Sequence, residues 1–165
     1  MLGPYDFKLS HFGETILSMA EGKLPALVDA GLSWVDIRDV AEGMIDACEQ
    51  AKSGTKYFFS GRWVTLRNIA QQISSITGVR SPRVVLPMWM AKTAAPVAVF
   101  FDRIRGKRPL FTPISMRELE SNPNISHDKA SRELSYEHRP LEQTLTDTIK
   151  WFQSYGLLNQ FVTTT

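Results

Sequence analysis

The chain has 165 residues, of which 43% are hydrophobic and 22% charged, a composition that excludes a disordered polymer and suits one domain with a buried core. Its 19 basic and 17 acidic residues leave a formal net charge of +2, too even a balance to build the concentrated basic face that nucleic acid requires. The lone cysteine, Cys48, excludes an internal disulfide and fits a reducing, cytoplasmic setting. Met1 to Asp6 has neither the basic start nor the apolar run of a secretory signal. The most apolar stretch, Met88 to Phe101, is interrupted by Lys92 and Pro96 and falls short of the roughly 20 residues that span a bilayer. A soluble protein with no membrane partner is expected.

Ser10 is placed to cap a helix running to about Glu21, with Phe12, Ile16, Leu17 and Ala20 on one side and Gly22 as its stop. Leu24 to Val28, short and apolar beside Pro25, predicts an extended segment. Beyond Gly31, Trp34, Asp36 and Arg38 alternate with Val35 and Ile37, and that period of two predicts a strand over residues 33–37. Asp39 switches the period. From Val40 and Ala41 through Met44, Ile45 and Cys48 the apolar residues recur at helical spacing, so Asp39 is the expected N-cap and Cys48 an expected core residue.

Tyr57-Phe58-Phe59 predicts a buried strand, Gly61 a turn, and Thr65 the cap of a helix whose stripe is Leu66, Ile69, Ala70, Ile73 and Ile76, ending at Gly78. Arg83 to Leu86 is a fourth extended piece, closed by Pro87. The order helix, strand, helix, strand, helix, strand predicts an α/β class with a parallel or mixed sheet. After Pro87 the pattern predicts an apolar helix from Trp89 to about Ile104 and a basic loop from Arg103 to Pro109. A short helix around Met116 to Glu120, another over Asp128 to Leu134, and a last one from about Leu141 to Tyr155 complete the chain.

The missing motifs are informative. A dinucleotide site on a parallel sheet needs closely spaced glycines so that backbone can approach the pyrophosphate, and here no two glycines stand at G-x-G or G-x-x-G spacing. No tyrosine is followed four positions later by lysine. There is no P-loop, zinc-like Cys/His cluster or G-x-S-x-G elbow. His11, His127 and His138 stand in polar segments and read as surface or capping residues.

The ordered motifs carry a resemblance. Gly3-Pro4-Tyr5-Asp6 resembles the G-P-x-D turn after the sixth sheet strand of the extended short-chain dehydrogenase/reductases, the NAD-dependent epimerase/dehydratase family. Trp34-Val35-Asp36-Ile37-Arg38-Asp39-Val40-Ala41 resembles that family's strand-and-helix segment. Tyr57 to Gly61, followed by Thr65-Leu66, is similar to its last core strand and the helix behind it. Lys129-Ala130, Glu133-Leu134-Ser135-Tyr136 and Pro140-Leu141 are similar to its closing signature, with Ser135 replacing the usual glycine. The match covers nearly the whole chain in order.

The resemblance implies an α/β fold: the C-terminal part of a Rossmann-like protein, with short strands, helices and an incomplete sheet. Residues 1–165 would be a substrate-binding portion whose N-terminal dinucleotide-binding portion is absent. It implies substrate contacts at Gly3, Pro4, Asp6, Asp36, Arg38 and Arg108, and no catalytic, cofactor-binding or metal-binding residue in this chain. Gly3 and Pro4 serve first as a turn, Asp36 also reads as an exposed strand residue, and the loop carrying Arg108 also reads as a solvated helix end. Leu32, lacking any donor, stands where enzymes of nucleotide-diphosphate sugars commonly have arginine, which points to the dihydroflavonol-reductase-like or hopanoid-associated epimerase-like branch. NAD(P) is implied for a complete protein and no cofactor for this chain alone. The implied partners are a small-molecule substrate and either the missing half or a second copy. A stand-alone binding module without catalysis is the alternative.

Overall fold

The structure, a computed structural model, describes residues 1–93, 96, 119 and 125–159. Helix α1 (His11–Ala20) starts where the Ser10 hydroxyl accepts the Gly13 amide at 3.0 Å, and it buries Ile16, Met19 and Ala20 on one face. Strands β1 (Leu27–Val28) and β2 (Gly31–Trp34) lead into α2 (Ile37–Gln50). Strand β3 (Arg62–Thr65) runs antiparallel to β2, with Gly31 opposite Thr65 and Trp34 opposite Arg62. Thr65 caps α3 (Leu66–Thr77), its hydroxyl accepting the Asn68 amide at 3.2 Å, and Leu66, Ile69, Ala70 and Ile73 form the buried stripe. Strand β4 (Val85–Leu86) pairs parallel with β1, and helices α4 (Asp128–Leu134) and α5 (Leu141–Ser154) close the chain.

The β1–β4 and β2–β3 pairs are separate two-stranded ribbons, so the sheet is incomplete among the described residues. The main core lies where α1, α3 and α5 meet beside β1, with Phe152, Ile16, Leu27, Ile69, Ile73 and Leu145 fully buried. Each such side chain is worth about 1.5–3 kcal/mol of burial. A smaller cluster of Val35, Ala130 and Tyr136, flanked by Val40, Tyr57 and Phe59, joins α2 to α4. No helix among the described residues is long and apolar enough to cross a membrane.

Five expectations need correction. The strand predicted over 33–37 lies at 31–34, because the chain is already helical at Ile37. The N-cap of α2 is Asp36, whose carboxylate accepts the Arg38 amide; Asp39 is one turn further on and buried. Asp36, read as exposed on a strand, is 3% exposed. Tyr57 to Phe59 belongs to no strand among the described residues, and Phe58 is 71% exposed.

The fifth concerns the orientation of α2, since Cys48 is exposed and not in the core. The inward face is the small one: a Cβ on Gly43 would stand 2.7 Å from the Phe59 ring and 3.0 Å from the Tyr136 ring. The larger apolar residues of α2 therefore face outward. The helix expected from Trp89 begins at Met88 and is described through Thr93, with Trp89 exposed and Met88 against the main core. Its continuation to Ile104, the basic loop and the helix around Met116 lie outside the described residues.

Candidate functional site

Two distant segments meet at the start of α2. The Leu2 amide donates to the Val35 carbonyl at 2.9 Å, and the Ile37 amide donates to the Leu2 carbonyl at 2.8 Å, a parallel bridge between Leu2 and Asp36. Glycine is required next. Gly3 has φ +156, and a Cβ there would stand 2.7 Å from Ile37 Cγ2 and 3.2 Å from Asp36 Oδ1. Pro4 is buried behind it. Asp6 accepts the Ser10 amide with both oxygens, at 2.9 and 2.8 Å, and the Ser10 hydroxyl at 2.7 Å, so it anchors the entry to α1. Between these pieces opens a cleft of about 490 Å³, lined among others by Gly3, Pro4, Asp6, Phe12 and Ile37.

Asp36 sits behind this cleft in a charge network. Its carboxylate accepts from the Arg38 amide at 2.8 Å, from Arg38 Nε at 2.9 Å and from Arg38 Nη2 at 2.7 Å. Burial pushes the Asp36 carboxyl up, but hydrogen bonds from the Arg38 side chain, the Arg38 backbone and Thr144, with the guanidinium charge, together hold it below the usual carboxylate range. Arg38 also reaches Asp147 of α5 at 2.8 Å. The same bonds hold Arg38 above its usual range, with the Asp36 side-chain bond the largest cause. Asp36 also lines a second cavity of about 290 Å³, with Trp34, Arg62, Gln72, His138 and Thr144 among its walls. Gln72 Oε1 is a buried acceptor with no partner there.

Of the six residues expected at a substrate site, Gly3, Pro4 and Asp6 line the larger cleft. Asp36 and Arg38 lie behind it with their polar atoms engaged to each other. Arg108 lies outside the described residues. Sequence reasoning missed Arg139. Its amide donates to Asp39 Oδ2 at 2.9 Å, its Nε to Asp39 Oδ1, and its Nη2 to Glu42 at 3.3 Å. The available signal was a buried-side aspartate on α2 with an arginine beside Pro140, but nothing in either local pattern couples positions so far apart.

The three histidines divide. His127 and His138 approach ring to ring at 5.2 Å, and His127 Nδ1 lies 3.3 Å from the Ser60 hydroxyl. Beside them burial, with the nearby Asp39 charge, pushes the Tyr136 phenol up to about 12, against an ordinary value near 10. A raised folded-state pKa contributes stability below the unfolded value and loses it as pH rises through the folded one. The chain is therefore expected to lose stability between about pH 10 and about pH 12. Tyr136→Phe should flatten that slope, checked by urea midpoints on either side of pH 10. An unchanged slope would assign the alkaline loss to other groups.

A Synechocystis protein carrying the name dihydroflavonol 4-reductase is 30% identical over 159 residues, covering 94% of this chain and 46% of its own length. The crystal structure of gox2253 superposes with a TM-score of 0.77 at 35% identity, over 96% of this chain and 48% of that one. A nucleoside-diphosphate-sugar epimerase from Pseudomonas aeruginosa gives a TM-score of 0.71 at 21% identity, over 96% and 47%. The Bordetella bronchiseptica enzyme WbmF, solved with NAD+ and UDP, gives 0.61 at 21%, over 90% and 37%. The chain matches the carboxy-terminal half of extended short-chain dehydrogenase/reductases. It spans about half the length of the curated relatives it matches. No protein-family profile matches it.

Three of the helix N-termini, those of α1, α2 and α3, are not open to a pyrophosphate. A pyrophosphate is held by uncapped backbone amides at a helix N-terminus. Here α1, α2 and α3 have theirs occupied by the side chains of Ser10, Asp36 and Thr65, and Asp36 adds a negative charge.

Proposed function

We propose that this chain is the substrate-facing half of an NAD(P)-dependent reductase or epimerase acting on a small molecule that bears a hydroxyl or carbonyl. A dinucleotide-binding half, upstream or on a second polypeptide, would supply the cofactor and the proton-transfer residues. The observation that carries the proposal is the Leu2–Asp36 bridge. It brings the two segments most like the extended dehydrogenases to one rim, beside a cleft large enough for a small ligand.

In this reading Gly3 and Pro4 shape the wall, Asp6 and Ser10 hold its far side, and the Asp36–Arg38 pair fixes the wall from behind. Leu32 lies on β2 opposite Val64 and offers no donor, which favours substrates without a diphosphate. Arg108 remains a candidate cation for the same cleft. This reading includes a cytoplasmic location, which the free thiol of Cys48 supports. A closed main core, with Phe152, Ile16 and Leu145 at 0% exposure, favours one further reading, a self-sufficient binding module without catalysis.

Ligand titration followed through the backbone amides of Gly3, Asp6 and Ile37 tests the proposal. Dihydroflavonols and related hydroxy-ketones are expected to shift these signals, while UDP and NADH alone leave them in place. Silence across the hydroxy-ketone panel, or saturable shifts with NADH, would remove the substrate-facing reading.

A further inference from the structure

The second cavity has no part in the function proposed above. It lies between α3, the β2–β3 ribbon and the start of α5, and its volume of about 290 Å³ is far above the ~30 Å³ share of one water. Ligand cavities begin at roughly 300 Å³, so this one suits a small molecule of a few carbons. Leu2, Trp34, Val64 and Leu141 give it apolar walls, with polar groups set among them.

Several of the charged groups in its wall already have partners. Asp36 is held by Arg38, and Arg139 by Asp39 and Glu42, while Glu142 is exposed at the rim. Gln72 differs. It donates through Nε2 to Asn68 Oδ1 at 2.7 Å, which fixes its amide and leaves Oε1 buried without a donor. The Arg62 guanidinium on β3 makes no hydrogen bond or ion pair among the described residues. The first amides of α5, at Leu141 and Glu142, have no capping side chain, because Pro140 precedes them.

We propose that this cavity binds a small hydroxy acid, whose hydroxyl donates to Gln72 Oε1 and whose carboxylate accepts from Arg62. A buried acceptor without a donor is costly, and a ligand hydroxyl recovers that cost. A carboxylate suits Arg62 and the α5 amides together, since a guanidinium and a helix N-terminus both favour negative charge. A neutral alcohol would satisfy Gln72 but leave Arg62 without a counter-charge, and a plain carboxylate would do the reverse. The site stands apart from the substrate-facing reading. The two cavities share Leu2, but neither Gln72 nor Arg62 lines the larger cleft.

Malate, succinate and glycerol, titrated into the purified full chain by calorimetry with amide shifts read in parallel, separate these requirements. Malate is expected to saturate and to shift Gln72, Leu141 and Glu142, with succinate and glycerol each weaker by about tenfold or more. Gln72→Leu should abolish the preference for malate over succinate. Arg62→Gln should weaken malate by about tenfold while circular dichroism stays unchanged. Arg62 is exposed on its strand, so this variant tests the site even where Gln72→Leu disturbs folding. A cavity that holds only water would show no saturable malate binding, and that result overturns the proposal. Equal affinity for malate and succinate, malate binding indifferent to Arg62→Gln, or shifts confined to Gly3, Asp6 and Ile37 would overturn it too.

Discussion

Asp39→Ala is expected to destabilise the chain by about 3–5 kcal/mol, the range for breaking one side of a buried ion pair. Asp39 is 2% exposed and accepts both the amide and the guanidinium of Arg139, whose side chain is only 20% exposed. Alanine would leave two donors without their acceptor and cut the tie between α2 and the segment leading into α5. Were Asp39 merely a helix cap, as its place in the sequence implies, the loss would be near 1 kcal/mol. Urea denaturation separates the two magnitudes when the m-value is unchanged. Asp39→Asn should fall between, since the amide oxygen still accepts the Arg139 backbone. The double variant with Arg139→Ala should cost less than the sum of the singles. A loss of 1 kcal/mol or less would mean that the pair is effectively solvated.

Gly61→Ala is the second large effect, expected to cost about 3 kcal/mol or more, at or above the top of the usual overpacking range. A Cβ there would lie 1.7 Å from the Trp34 carbonyl oxygen and 3.2 Å from Val35 Cα. Both obstacles are backbone, so no side-chain rotation relieves them. Relief requires moving Gly61 away from β2, which breaks the bond from the Ser33 hydroxyl to the Gly61 carbonyl at 3.0 Å. Thermal denaturation of the variant, compared with Gly54→Ala, checks the claim. Gly54 has open space around it but a φ of +82, so alanine there meets only backbone strain. Equal losses at the two sites would show that the chain accommodates a Cβ at residue 61.

Much of the fold was legible because local physics decided it. The helices at Ser10 and Thr65 have a capping hydroxyl followed by a clean 3.6-residue stripe, and α4 and α5 fall where their patterns place them. The misreadings share one cause. Around residues 36–48 the apolar spacing correctly implied a helix, but not which face meets the rest of this chain. Gly43 settles that by admitting the Phe59 and Tyr136 rings, and a glycine carries no hydrophobic signal. The aromatic run Tyr57–Phe59 was readable, whereas its place outside any strand among the described residues was not, since pairing belongs to tertiary structure. Gly3, Pro4 and Asp6 were legible as a turn. The Asp39–Arg139 pair was not, because no short motif spans it.

That pair has a kinetic consequence. The bond from the Arg139 amide to Asp39 joins residues 100 positions apart. During synthesis α1, α2 and α3 emerge complete, with their caps and local turns available at once. The acidic inner face of α2 must wait for residue 139, and loop closure over so long a span is slow compared with helix formation. Until then Asp39 faces solvent and α2 lacks its ties to Arg139 and Asp147. The chain is therefore expected to pass through a state with its helices formed and α2 undocked, in which residues 36–60 exchange amide hydrogens faster than α1 and α3.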